Sequence, residues 1–190
     1  MIEEWRTFCA IELTHDVRTR LEDHVRGLRE TLPEASASWA RPENVHLTLK
    51  FFGNVQKENI TRISDAATRV TSDFPAFKIR IGGTGVFPNA SRPQVLWIGL
   101  EDLSGRLSEL QRRFEEECAK EGFPKENRAY KPHLTIARLR RPEGARQLAE
   151  THLDKNFSFS EISVNELVLF RSQLSPKGPT YTAISRHALF

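Results

Sequence analysis

The sequence predicts an α+β protein of two pseudo-symmetric lobes, each a mostly antiparallel sheet with helices packed on its outer face, with a cleft between them. Three observations carry this reading. Strand-like and helix-like segments alternate along the chain, but no GxGxxG or Walker phosphate loop follows any strand. Strand–helix material occurs in both halves. One short motif is written twice, as VHLTLKFFG at residues 45–53 and PHLTIARLR at 132–140. At 190 residues the chain is long enough to bury a real core. Residues 1–190 are expected to form one domain of two intertwined lobes.

Each element has its own local warrant. Residues 5–13, WRTFCAIEL, alternate and are rich in β-formers, which predicts a strand. Thr14 or Asp16 then caps a helix carrying Val17, Leu21, Val25, Leu28 and Leu32, and Pro33 ends it. Trp39 precedes a Pro-containing turn, after which a strand runs over 45–52 and closes at Gly53-Asn54. Ile60, Ile63, Ala67 and Val70 fall on one face of a helix within 57–72. Residues 77–83 and 95–100 read as a strand pair around the loop-like GTGVFPNASRP. A long amphipathic helix carries Leu103, Leu107, Leu110, Phe114 and Cys118, with Gly122 and Pro124 as stop signals. A strand at 133–138, a short helix around 143–152 and terminal strands complete the chain.

Composition narrows the function classes. An apolar fraction of 38% and a charged fraction of 28% belong to an ordinary folded protein. No apolar run approaches a membrane span, and the first residues lack a signal-peptide layout, so no membrane partner and a cytoplasmic location are expected. The two cysteines, Cys9 and Cys118, form no CxxC or Cys/His cluster, which argues against a structural zinc or a disulfide framework. Cys118 reads as a small buried hydrophobe. No heptad or spare apolar face stands out, so a monomer is expected. The net charge is only +3. It is uneven: Lys125, Arg128, Lys131, Arg138, Arg140, Arg141 and Arg146 are answered between 125 and 146 only by Glu126 and Glu143. Beside the second motif, this run points to an anionic substrate such as a phosphate or nucleic acid.

In a strand, side chains alternate between faces. Strict alternation puts His46, Thr48 and Lys50 on one face and Leu47, Leu49 and Phe51 on the other. It likewise joins His133 to Thr135, with Leu134 and Ile136 opposite. A lone His-x-Thr is more often structural, and His15, His24, His152 and His187 are read that way. The duplicate is different, because chance repetition is improbable. If the lobes face each other about a pseudo-two-fold axis, two imidazoles converge across a cleft. Histidine titrates near neutrality, so one ring can take a proton while the other gives one. Thr48 and Thr135 can donate to phosphate oxygens, and an arginine fork can serve the same oxygens. Arg138 is the candidate, although alternation places it opposite His133 unless a bulge intervenes. Phe51, Phe87, Tyr130 and Trp97 are candidates for base stacking. Phe51 is favoured because it follows His46 at the interval at which Arg138 follows His133.

These motifs resemble the paired His-x-Thr-x signatures of the 2H phosphoesterase superfamily. WARPENVHLTLKFFGNV, GVFPNASRPQVLWIGL, PHLTIARLR and LFRSQLSPKGPTYTAI are further similar to the RNA 2′,3′-cyclic phosphodiesterases, also called 2′-5′ RNA ligases. The likeness runs in order along nearly the whole chain. It implies that His46 is the general acid for the leaving 3′ oxygen and His133 the base that activates water. Thr48 and Thr135 would hold the phosphate, with Arg138 following the second motif. The implied substrate is RNA ending in a 2′,3′-cyclic phosphate, with transfer RNA fragments among the candidates. No cofactor and no metal are implied, and ATP-independent 2′-5′ ligation is the reverse-type reaction. Two alternatives stay open: a 2H phosphodiesterase acting on small cyclic or 2′-5′ nucleotides, and a non-catalytic RNA-end-binding module.

Overall fold

The computed structural model describes residues 3–140, 144–176 and 178–190. Among these described residues, nine strands and four α-helices follow in the order β1 (Glu4–Ile11), α1 (His15–Thr31), β2 (Ala37–Trp39), β3 (Leu47–Gln56), α2 (Ile60–Thr71), β4 (Phe77–Phe87), β5 (Val95–Glu101), α3 (Arg106–Lys120), β6 (Leu134–Leu139), α4 (Ala145–Asp154), β7 (Ser160–Val164), β8 (Glu166–Ser175) and β9 (Gly178–Ala188). The strands form two sheets, one ordered β3-β1-β8-β9 and the other β2-β6-β5-β4-β7. Every pairing among them is antiparallel. This is the α+β, two-lobed architecture expected from the sequence.

The helices form because their apolar residues recur at helical spacing and their ends are marked. Thr14 caps α1 by accepting from the Val17 N–H, and Val17, Leu21 and Leu28 bury the inner face. Asp102 caps α3 by accepting from the Leu107 and Ser108 N–H groups at 3.0 and 3.2 Å. Leu107, Leu110, Phe114 and Cys118 then lie fully buried. Truncating Phe114 to Ala would cost about 3–5 kcal/mol as transfer and cavity terms combined.

The lobes exchange helices. Helix α1 leaves the first sheet after β1 but packs against α4, which covers β4 of the second sheet. Helix α3 leaves the second sheet after β5 but packs against α2 and β3 of the first lobe. One continuous core therefore joins residues of both sheets, among them Cys9, Leu47, Leu49, Leu96, Ile98 and Leu134. A smaller cluster of Phe8, Ala10, Val168 and Phe170, with Tyr181 against it, lies on the other face of the first sheet. His24, His152 and His187 are buried and hydrogen-bonded in the body of the fold. The His152 Nε2–H donates to the Trp97 carbonyl at 3.1 Å, so its Nδ1 accepts from His24 Nε2 at 3.0 Å.

Three expectations are corrected, and one strand is added. Strand β3 does not close at Gly53-Asn54 but runs to Gln56, because Gly53 takes φ 74° inside the strand and bends it instead of ending it. The segment GTGVFPNASRP is not all loop: β4 extends to Phe87, with Gly83 at φ 73°. Leu103 is 81% exposed and precedes α3. The three-residue β2, too short to carry a periodic signal, pairs with β6.

Candidate active site

The two motif strands share one irregularity. In β3, Ala10 of β1 opposes Thr48 while Cys9 opposes Lys50, which leaves Leu49 as an extra residue. In β6, Trp97 of β5 opposes Thr135 while Leu96 opposes Ala137, which leaves Ile136 extra. Each is a β-bulge one residue after the threonine, and each resets the alternation. Leu49 and Lys50 are thus both buried, as are Ile136 and Ala137. Phe51 and Arg138 are exposed on the side of their threonines. Strict alternation gives the reverse for Lys50 and Phe51, and leaves Arg138 on the wrong face. The bulge corrects all three at once.

A cleft of about 830 Å³ is lined by His46, Thr48, Phe51, Tyr130, His133, Thr135 and Arg138. The catalytic and substrate-binding candidates named from the sequence are therefore all on its walls. Phe87 and Trp97 stand behind His133, with ring centroids 5.0 and 6.3 Å from its own. The basic run contributes Lys125, Arg128, Lys131 and Arg140 to the same cleft. Arg146 instead pairs with Glu150 on α4 at 3.0 Å. Arg141 and Glu143 lie outside the described residues.

The imidazoles are held alike. His46 Nδ1 lies 2.8 Å from the Asn44 carbonyl and His133 Nδ1 lies 2.7 Å from the Lys131 carbonyl, each two residues upstream. A carbonyl can only accept, so each Nδ1 carries the hydrogen and each Nε2 is left for proton transfer. Their surroundings differ. His46 stacks on Phe8 at 4.5 Å and 21° and meets the edge of Tyr181 at 5.3 Å. Burial in this aromatic setting lowers its pKa to about 4; the Asn44 carbonyl pulls the other way, Arg18 adds to the lowering and Glu12 opposes it. Among the described residues, neither threonine hydroxyl nor Arg138 has a hydrogen-bond partner within the protein, so all three can serve a ligand.

Several supporting contacts carried no sequence signal. Arg18 on α1 donates from Nε to the Leu13 carbonyl at 3.1 Å and from Nη1 to the Glu43 carbonyl at 2.5 Å. It thereby fixes the turn Pro42–Asn44 whose last carbonyl orients His46. The Asn44 side-chain amide donates to the Pro179 carbonyl at 2.8 Å, tying that turn to the start of β9. The Tyr130 hydroxyl donates to the Thr48 carbonyl at 3.1 Å, which ties the loop before β6 to β3. Buried Lys50 donates to Glu115 Oε2 at 2.6 Å and to the Pro124 carbonyl at 2.8 Å, and Glu115 also accepts from the Glu126 N–H at 3.2 Å. This pair anchors the loop bearing Lys125 and Arg128. Among the described residues, the acids on the cleft walls are Glu115 and Glu126. Lys50 neutralises the first of them, leaving the cleft strongly positive.

Among the described residues, no helix is long and apolar enough to cross a membrane, and no group of three or more His, Cys, Asp or Glu is arranged to hold a metal. Comparison with known proteins gives a consistent picture. The chain is 39% identical over 180 residues to a Methanothermobacter thermautotrophicus protein named RNA 2′,3′-cyclic phosphodiesterase, covering 93% of this chain and 95% of that one. Its fold matches the crystal structure of a Thermus thermophilus protein with a TM-score of 0.79 at 26% identity, covering 97% of each chain. It matches Escherichia coli LigT complexed with 3′-AMP with a TM-score of 0.77 at 25% identity, covering 98% and 99%. The family model of the 2′-5′ RNA ligase superfamily matches residues 17–175, and the chain belongs to that superfamily.

Proposed function

We propose that this protein opens RNA 2′,3′-cyclic phosphate ends to 2′-phosphate ends by metal-independent acid–base catalysis between His46 and His133. The observation that carries the reading is the pair of imidazoles on one positive cleft, each with Nδ1 engaged by a backbone carbonyl and Nε2 left for chemistry. Thr48, Thr135 and Arg138 supply donors for the non-bridging oxygens. His133 takes a proton from water as its oxygen bonds to phosphorus. The bond from phosphorus to the 3′ oxygen breaks, and His46 gives its proton to that departing oxygen. Ring strain in the cyclic phosphate lowers the demand for a Lewis acid. With an RNA 5′-hydroxyl in place of water, the same site joins two RNA pieces through a 2′-5′ bond without ATP. The names of the relatives support the substrate class. We read residues 1–190 as one domain acting as a monomer. Phe51, which occupies after the first bulge the position that Arg138 occupies after the second, is our candidate to stack on the terminal base.

Action on small cyclic or 2′-5′ nucleotides is the second reading. The basic residues extending beyond the motifs, Lys125, Arg128 and Arg140, favour a polyanion over a mononucleotide. Purified protein should convert a short cyclic-phosphate RNA in EDTA, leaving phosphate on the 2′ hydroxyl. His46→Ala or His133→Ala should lose roughly 10²–10⁴-fold in kcat while circular dichroism shows an intact fold. A folded double-alanine variant that remains active ends the assignment.

A further inference from the structure

We propose that Arg6, with Ser172 and Tyr181, forms a second phosphate subsite that binds the phosphodiester joining the terminal nucleotide of an RNA strand to its neighbour. The inference rests on the RNA-end reading above and extends it from the reacting phosphate to the chain behind it.

The three residues form one row across the first sheet. Arg6 of β1 opposes Ser172 of β8, and Ser172 opposes Tyr181 of β9. All three line the cleft. The row lies two residues along β1 from Phe8, the ring on which His46 stacks. Two strand residues advance roughly 6.8 Å, a distance comparable with one step of an extended single strand.

Its chemistry suits a phosphodiester. The Arg6 guanidinium lies over the Phe51 ring, 4.5 Å from its centroid. A cation–π contact of this kind uses none of the carboxylate- or phosphate-matching N–H pairs, which remain for a ligand. Among the described residues no carboxylate pairs with Arg6, whereas Arg26 and Arg80 each have one and Arg186 has two. Ser172 is only 8% exposed, yet among the described residues its hydroxyl has no hydrogen-bond partner within the protein. Burial raises the pKa of the Tyr181 phenol, while the nearby charges of Arg138 and Arg6 act against that rise. The phenol thus lies in the field of two cations, one from each sheet, and stays a neutral donor. A guanidinium and two hydroxyls are a donor set for a singly charged phosphodiester.

The test compares two probes, adenosine 2′-phosphate and a trinucleotide ending in a 2′-phosphate, binding to wild type, Arg6→Met and Arg6→Lys over a range of salt. The subsite requires that the preference for trinucleotide over mononucleotide fall roughly tenfold in Arg6→Met. The slope of log affinity against log salt for the trinucleotide should flatten by about 0.7, the value for one single-strand phosphate contact. Arg6→Lys should retain that slope. An unchanged preference in a folded Arg6→Met variant overturns the proposal and makes Arg6 only a prop for Phe51. The catalytic reading is judged separately by wild-type turnover. An inactive wild type whose RNA affinity still shows the Arg6-dependent salt slope removes catalysis and keeps the subsite.

Discussion

His46 should change its protonation behaviour when phosphate arrives, and the change is large enough to measure. In the empty cleft its pKa is about 4, because Phe8, Tyr181 and the surrounding walls exclude water from the charged ring. Roughly one ring in a thousand is then protonated at pH 7, a poor stock of general acid. A bound phosphodiester brings a full negative charge. At ~4 Å and an effective dielectric of ~20 its attraction for the imidazolium is about 4 kcal/mol. Each pH unit corresponds to about 1.4 kcal/mol, so the ligand carries the ring from about 4 back to roughly neutral pH. On the proposed mechanism, the substrate thus loads the acid that expels its own leaving group. The sign follows directly: kcat/KM reports the free enzyme and kcat the complex. On the His46 limb, kcat/KM should fall about tenfold per pH unit above roughly pH 4, while kcat holds until near neutrality. The limbs should be separated by pH–rate profiles on a cyclic-phosphate RNA. NMR titration of the His46 ring, alone and with adenosine 2′-phosphate, should show the same displacement. A free-state His46 titrating near 6.5, or one that adenosine 2′-phosphate does not move, refutes the reasoning.

The remaining expectations concern the support of the site and its chemistry. Glu115→Gln strips the charge partner from Lys50, whose side chain is 5% exposed, and should cost about 3–5 kcal/mol. Urea unfolding reads this as a lower midpoint at unchanged slope; a loss under ~1 kcal/mol would mean that the pair is not structural. Acid should destabilise the fold through His24, which is 5% exposed and whose pKa burial and His152 hold at about 4. The unfolded chain takes up this proton first, so stability is full above pH ~6.5 and declines by up to ~3 kcal/mol as pH falls toward 4. His24→Gln should flatten that decline, and an identical acid limb in the variant would assign it elsewhere. Turnover should also be indifferent to EDTA. If chelation abolishes it and Mn²⁺ or Zn²⁺ restores it, proton transfer between two histidines is not the mechanism.

The periodic elements and the repeated motif were legible because burial leaves a rhythm in the sequence. Helices α1 to α3 followed from apolar spacing, and the His-x-Thr copies followed from their recurrence. What failed was strict alternation beyond each threonine. The second motif carried a hint: Ile136 and Ala137 are two apolar residues in succession, which a half-buried strand does not need unless it bulges. The first copy hid the same bulge, because the second inward residue there is Lys50, and a lysine looks exposed until Glu115 is seen beside it. The histidine locks were invisible for another reason. Their acceptors are the Asn44 and Lys131 carbonyls, which any residue would provide. Arg18 and Arg6 are likewise anonymous among the arginines until the fold gives the first its carbonyl partners and strand pairing gives the second its neighbours.

The exchange of α1 and α3 between lobes bears on how a substrate gets in. A jaw whose halves each carry the other's buttress has no natural hinge, so the slot is presented at its working width before anything enters. Binding then escapes the free-energy charge of swinging two bodies together. The same lacing means that either half, expressed alone, would bare the seat of the helix it lent away.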